Sequence, residues 1–146
     1  MVKLNIVYAS EMGTAMDVAD RTETIAKEKG IDVIQFGMDS VSMDDLKTMS
    51  KLLIITSTTG DGDLPMMGEE FWSELSEGEL DLSAMEYSVC ALGDSSHHDF
   101  CGAGKKVDAR LEELGAKKVL DRQECDGDTE GSEEWAELAM KKLGVI

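Results

Sequence analysis

The chain has 146 residues, which suits a single domain spanning 1–146 with one core and no need of disulfide or metal staples. Its 31 acidic residues face 14 basic ones, a formal net charge of −17 that argues against nucleic-acid and anionic-membrane partners and draws basic proteins. The longest apolar runs, such as Leu52-Leu53-Ile54-Ile55, cannot span a bilayer, no apolar leader opens the chain, and the three cysteines lack C-x-x-C spacing; a cytoplasmic protein without disulfides or zinc is expected.

Leu4 to Ala9 is a near-continuous apolar run, as a strand buried on both faces requires. Thr14 to about Lys29 reads as a helix, with Ala15, Val18, Ala19, Thr22, Ile25 and Ala26 at three- and four-residue steps and Gly30 as its stop. Ile31–Phe36 alternates like a strand. Ser42–Thr48 carries a capping-box spacing, Ser42 to Asp45. Leu52–Thr56 is a buried strand. Pro65 fits the first turn of a helix bearing Phe71, Trp72 and Leu75. Tyr87–Leu92 is a strand, with Cys90 as a small buried hydrophobe. Phe100–Leu114 is a helix ended by Gly115, Lys118–Leu120 a short strand, and Ser132–Leu143 a closing helix with Trp135, Leu138 and Ala139 inward.

Strand and helix thus alternate five times. That order predicts an α/β three-layer sandwich, a five-stranded parallel sheet of order 2-1-3-4-5 with helices on both faces. Ligands of such sheets bind beyond the carboxyl ends of the strands, at the switch point between strands one and three. Three loops meet there. The first, Ser10-Glu11-Met12-Gly13-Thr14-Ala15, joins a buried strand to a helix N-terminus, where orphan amides and the helix dipole favour an anion. It contains no Lys or Arg and matches neither the P-loop nor the dinucleotide fingerprint, which argues against a nucleoside triphosphate. The second is Ser57-Thr58-Thr59-Gly60-Asp61-Gly62-Asp63-Leu64-Pro65. The third, Gly93-Asp94-Ser95-Ser96-His97-His98-Asp99-Phe100-Cys101-Gly102, is rich in small residues and carries aromatic groups where a planar ligand could stack.

In order and spacing the three loops resemble the phosphate loop and the two isoalloxazine loops of short-chain flavodoxins. Gly93-Asp94-Ser95-Ser96 and Phe100-Cys101-Gly102-Ala103 are similar to bacterial flavodoxins. Ser10–Ala15 and Thr59-Gly60-Asp61-Gly62-Asp63 look more like the FMN domains of diflavin reductases. The resemblance implies FMN as cofactor. Ser10, Glu11, Met12, Gly13, Thr14 and Ala15 would surround its phosphate. Ser57, Thr58, Thr59 and Gly60 would run beside the ring, with the Gly60-Asp61 peptide facing N5. Gly93, Asp94, Phe100 and Cys101 would lie at the pyrimidine edge, Cys101 through its amide. His97 would stack where the family places a tyrosine. Three departures, Met12 for a threonine, Thr59 for an aromatic and His97 for a tyrosine, imply weaker FMN binding. They also imply a titratable ring beside the flavin.

The implied activity is one-electron transfer between a reductase and acceptor enzymes with basic faces, by a monomer without substrate turnover of its own. Acidic neighbours without a nearby cation would keep the potential low. The alternatives are an FMN-dependent reductase or the FMN module of a larger reductase, and a flavin-free interaction module of the same fold. A phospho-receiver needs aspartates at the first and third strand ends; here those ends read Tyr8-Ala9-Ser10 and Thr56-Ser57-Thr58. His97, His98 and Asp99 show no fourth ligand for a metal.

Overall fold

The computed structural model describes residues 3–59, 62–94 and 100–146. Its elements are β1 (Leu4–Ala9), α1 (Thr14–Glu28), β2 (Val33–Gly37), α2 (Met43–Lys47), β3 (Lys51–Ser57), α3 (Glu69–Glu77), β4 (Glu86–Gly93), α4 (Gly102–Glu113), β5 (Lys117–Lys118), β6 (Gln123–Asp126) and α5 (Ser132–Leu143). The strands are parallel in the order β2-β1-β3-β4-β5, as expected.

Strand pleating divides the core. Leu52 and Ile54 of β3 face Phe71, Leu75, Val107 and Leu111 on α3 and α4, with Leu46 of α2 beside them. Leu53 and Ile55 face Val18 and Ala19 of α1 and Trp135, Ala139 and Met140 of α5. Leu4, Ile6, Val7 and Ala9 of β1 are all fully buried, which explains the unbroken apolar run.

The edge strand departs from expectation. Lys117 and Lys118 pair with Glu86 and Tyr87, and pairing resumes only at Gln123 opposite Cys90. Residues 119–122 therefore stand opposite Ser88 and Val89 alone, so that β6 continues β5 after a bulge. The expected strand at Lys118–Leu120 falls on this bulge, and the polar sequence Gln123-Glu124 hid the strand beyond it. Ser88 pins the bulge: its hydroxyl donates to the Leu120 carbonyl at 3.1 Å and accepts from Trp135 Nε1 at 2.9 Å. The bulge also brings Arg122 to Asp108 of α4, a carboxylate only 1% exposed. Asp108 accepts from the buried Tyr87 hydroxyl at 2.6 Å and pairs with Lys118 at 3.6 Å, tying α4 to the sheet edge.

Helix starts follow their caps. Ser42 and Asp45 form the predicted capping box on α2. Pro65 precedes a 3₁₀ turn, Met66–Gly68, and α3 begins only after it. The helix expected from Phe100 begins at Gly102, because Cys101 takes the left-handed conformation, φ 56°. Gly104 lets α4 lie flush on β4: a Cβ there would stand 2.3 Å from the Ala91 Cβ. No helix among the described residues is long and apolar enough to cross a membrane.

Candidate functional site

The first loop leaves β1 and enters α1 through Gly13, whose φ of 87° disfavours any side chain. No side chain caps α1, so its first-turn amides keep their donors available. Space in front of Gly13 is open, with no atom within 4 Å of where a Cβ would stand. The Ser10 amide donates to Met67 Sδ at 3.2 Å. The Ser10 hydroxyl is buried without a partner. Met12 points outward at 89% exposure, so only its backbone can serve the loop, and Ala15 is fully buried.

In the second loop Thr58 Oγ1 is likewise buried without a partner. Thr59, read from sequence as a missing ring cover, has a second duty. Its amide and carbonyl exchange hydrogen bonds with Asp63, both at 2.8 Å, and its hydroxyl reaches the Leu64 carbonyl at 3.3 Å. This closes the loop, with Gly62 at φ 99°. Gly60 and Asp61 lie outside the described residues, as do His97, His98 and Asp99 of the third loop.

The rest of the third loop rests on Gly93 and Cys101. A Cβ on Gly93 would meet the Cys101 amide nitrogen at 2.9 Å, so the close approach requires glycine. The Cys101 thiol is buried and directed at the Ala91 carbonyl, 3.5 Å away. Burial, with the charge of Glu124 second, pushes this thiol up to about 11, which keeps it protonated and unreactive near neutrality. Phe100 is half-buried and carries Lys105 Nζ 5.8 Å from its ring centroid.

These loops enclose a cavity of about 330 Å³ lined by Glu11, Met12, Thr14, Ser57, Thr58, Gly93 and Asp94. Gly127 and Asp128, after β6, complete its wall. The sequence reading missed them, although the Gly127 amide donates to the Gly93 carbonyl at 2.7 Å. The glycine after an unrecognised strand was the available signal. Gly13, Ala15, Phe100 and Cys101 belong to these loops but are not among the residues lining this cavity. Ser10, Glu11 and Thr59 line a second, larger cavity of about 920 Å³ toward α3. The expectation of acidic loops without a nearby cation is corrected here: Lys106 Nζ lies 3.4 Å from Asp63. α4 thus brings Lys106 to the second loop, as it brings Lys105 to the Phe100 ring. Among the described residues no group of three His, Cys, Asp or Glu side chains could hold a metal.

The donors present fit a flavin phosphate. Two buried hydroxyls without partners, an uncapped helix start and open space before Gly13 all suit an oxyanion. A doubly wound sheet with an anion cradle at its switch point, flanked by two further loops, defines a mononucleotide-binding domain.

Comparison with known proteins narrows the class. The Flavodoxin family model matches residues 6–138. The sulfite reductase [NADPH] flavoprotein alpha-component of Vibrio parahaemolyticus is 38% identical over 143 residues, 97% of this chain and 23% of its own length. The NADPH oxidoreductase A of Dictyostelium discoideum is 37% identical over 123 residues, 83% of this chain and 20% of its own. The chain thus spans about a quarter or less of the curated relatives it matches. Among solved structures, the C101A mutant of flavodoxin from Pseudomonas aeruginosa superposes with a TM-score of 0.86 at 28% identity, covering 98% of this chain and 99% of that one. The Streptococcus pneumonia TIGR4 flavodoxin gives a TM-score of 0.86 at 27% identity and 98% coverage of both chains. The chain belongs to the flavodoxin family, whose FMN serves electron transfer.

Proposed function

We propose that residues 1–146 act as a single, monomeric, cytoplasmic electron-carrier domain. It holds FMN across the carboxyl ends of β1, β3 and β4 and passes single electrons between a reductase and acceptors with basic faces. The observation that carries this reading is the pair of buried, unpartnered hydroxyls, Ser10 Oγ and Thr58 Oγ1, on two of the three loops beside an uncapped helix start. FMN supplies the redox chemistry when bound; the chain supplies position and electrostatics. The α1 amides and the Ser10 hydroxyl would hold the phosphate, and the Thr58 hydroxyl would donate to the cofactor beside the ring. Thr59, by closing the second loop on Asp63, would fix the backbone that borders the ring. Asp94 and Asp128 would add negative potential beside the cofactor and disfavour further negative charge on it.

The test is an FMN titration of apoprotein by absorption and fluorescence, followed by potentiometry. Stoichiometric uptake with two resolved one-electron steps supports the reading. A protein that takes up no FMN refutes it.

A second reading is favoured by one observation. Identity is 36–38% to the flavoprotein component of sulfite reductases, against 27–28% to the flavodoxins above. The domain would then serve as the FMN module of such a reductase system. Electron delivery from NADPH through a purified reductase of that type, faster than through a flavodoxin reductase, would favour it.

A further inference from the structure

The phosphate loop divides its donors between two sides. The start of α1 has no side-chain cap, and the Ser10 hydroxyl is buried without a partner, as a bound anion requires. The Ser10 amide is committed elsewhere: it donates to Met67 Sδ at 3.2 Å, across 57 residues of chain. A backbone amide away from water needs an acceptor, and a thioether is a weak one. The sulfur therefore supplies the amide with a partner while leaving the hydroxyl on the other side of the backbone unclaimed.

Met67 is itself held from three directions. Its 3₁₀ turn, Met66–Gly68, closes with the Gly68 amide on the Pro65 carbonyl at 2.8 Å. The turn sits so close to its neighbours that a Cβ on Gly68 would stand 2.9 Å from both Leu64 Cδ2 and Met38 Sδ. Beyond the sulfur, the Met67 methyl lies over the end of β2, where a Cβ on Gly37 would stand 3.0 Å from it. Leu64 belongs to the same short run of chain, and its carbonyl accepts from the Thr59 hydroxyl. The first and second loops thus share one support. The two adjacent methionines differ accordingly: Met66 is 84% exposed, whereas Met67 is half-buried against Ser10.

Resting on the FMN reading, we propose that Met67 is a positioning residue for the cofactor's phosphate. It acts through Ser10, holding the amide so that the hydroxyl faces the phosphate. Without the sulfur the amide must turn to find another acceptor, and the hydroxyl turns with it. Binding of the phosphate weakens, and binding of the ring does not. The geometry also specifies the rescue. Asparagine carries Oδ1 on Cγ, where methionine carries Sδ, and so restores an acceptor; leucine fills the space and accepts nothing.

Apoprotein of the parent, Met67→Leu, Met67→Asn and Met66→Leu is titrated with FMN and with riboflavin, which has the same ring and no phosphate. Met67→Leu should weaken FMN about tenfold and change riboflavin by less than about twofold. Met67→Asn should bind FMN within about threefold of the parent. Met66→Leu, an exposed control, should stay within about twofold for both ligands. Hydrogen exchange in apoprotein reads the contact directly: the Ser10 amide should exchange at least about tenfold faster in Met67→Leu than in the parent or Met67→Asn. Parent-like FMN affinity in Met67→Leu would make the sulfur a mere occupant and overturn the role. Equal weakening of FMN and riboflavin would assign Met67 to general packing and overturn it, as would weakening by Met66→Leu to the same extent. Unchanged Ser10 exchange in Met67→Leu, or no recovery in Met67→Asn, would overturn the hydrogen bond as the cause. Failure of the parent to take up FMN would overturn the cofactor reading together with this one.

Discussion

Replacing the two orphan hydroxyls gives a prediction in which stability and affinity move in opposite directions. Ser10 Oγ and Thr58 Oγ1 are buried with no hydrogen-bond partner. A buried polar group left in that state costs about 1–3 kcal/mol. Ser10→Ala and Thr58→Val remove the group with little change in shape, so the apoprotein should be as stable as the parent or gain about 1 kcal/mol. For a domain of this size that gain raises Tm by about 2–4 °C. The effect on FMN has the other sign. A hydrogen bond to a charged phosphate contributes about 1.5–3 kcal/mol, and each 1.4 kcal/mol is tenfold in Kd, so Ser10→Ala should weaken FMN by about 10- to 100-fold; a neutral bond beside the ring contributes about 0.5–1.5 kcal/mol, so Thr58→Val should weaken it by about 2- to 10-fold. Urea melts of the apoprotein give the first quantity, and quenching of FMN fluorescence gives the second. The reasoning is refuted if either variant loses more than about 1 kcal/mol of apoprotein stability and binds FMN with the parent Kd.

Gly104→Ala places a methyl 2.3 Å from the Ala91 Cβ, and neither strand nor helix can yield cheaply; it should cost about 1–3 kcal/mol in urea melts despite the better helix propensity of alanine. Asp108→Ala strips the buried Tyr87 hydroxyl of its side-chain acceptor and Arg122 and Lys118 of a counter-charge; it should cost about 3–5 kcal/mol, with Asp108→Asn losing visibly less. Stability should also fall in alkali. Burial raises the Cys101 thiol from 9.0 to about 11, and in Cys90 the hydrogen bond to Cys125, then burial, act in the same direction. A folded-state pKa above the unfolded value means that the stabilisation is complete below about pH 9 and is lost as pH rises toward about 11. Cys101→Ala should flatten that decline in pH-dependent denaturation, and an unchanged profile would contradict the assignment.

The fold was legible because periodicity survives wherever both sides of an element are buried. Leu52–Thr56 and Tyr87–Leu92 announce themselves as runs, since burial on both faces favours apolar side chains, and α1 and α5 as stripes, although Leu138, read as inward on α5, is 44% exposed. The edge was not legible. Edge strands keep one flank in water, so Gln123-Glu124-Cys125-Asp126 has no apolar signature, and the bulge shifted the strand away from the only apolar stretch nearby, Val119-Leu120. The site divides in the same way. Gly13 was readable because a tight strand-to-helix turn at positive φ leaves glycine as the sensible choice, whereas Gly93 was named only through the resemblance, its close approach to the Cys101 amide being a tertiary contact. Met67 was not, because a thioether accepting the Ser10 amide is a contact set by the turn after Pro65, and no local pattern encodes it. Lys106 escaped for a related reason: its meeting with Asp63 depends on where α4 begins, and Cys101 delays that start.

Cys101 shows how the cofactor end of the sheet differs from the rest of the molecule. α2, which borders neither large cavity, has a complete capping box. α1, α4 and α5 each start from a left-handed residue with no side-chain cap, Gly13, Cys101 and Gly131, whereas α3, also without a side-chain cap, starts from Gly68 in the right-handed region. Withholding the caps leaves first-turn amides available to a ligand, at about 1 kcal/mol of helix stability for each missing cap. Cys101 adds the cost of a non-glycine residue at φ 56°, about 1–2 kcal/mol. Glycine would relieve that strain and would also remove the thiol, which fills the space against Gly93 and reaches the Ala91 carbonyl. The strained residue therefore locks the start of α4 to β4 at the point where the third loop must be held. Rigidity there is what a carrier needs, since a fixed environment spares the protein from reorganising each time the cofactor changes charge.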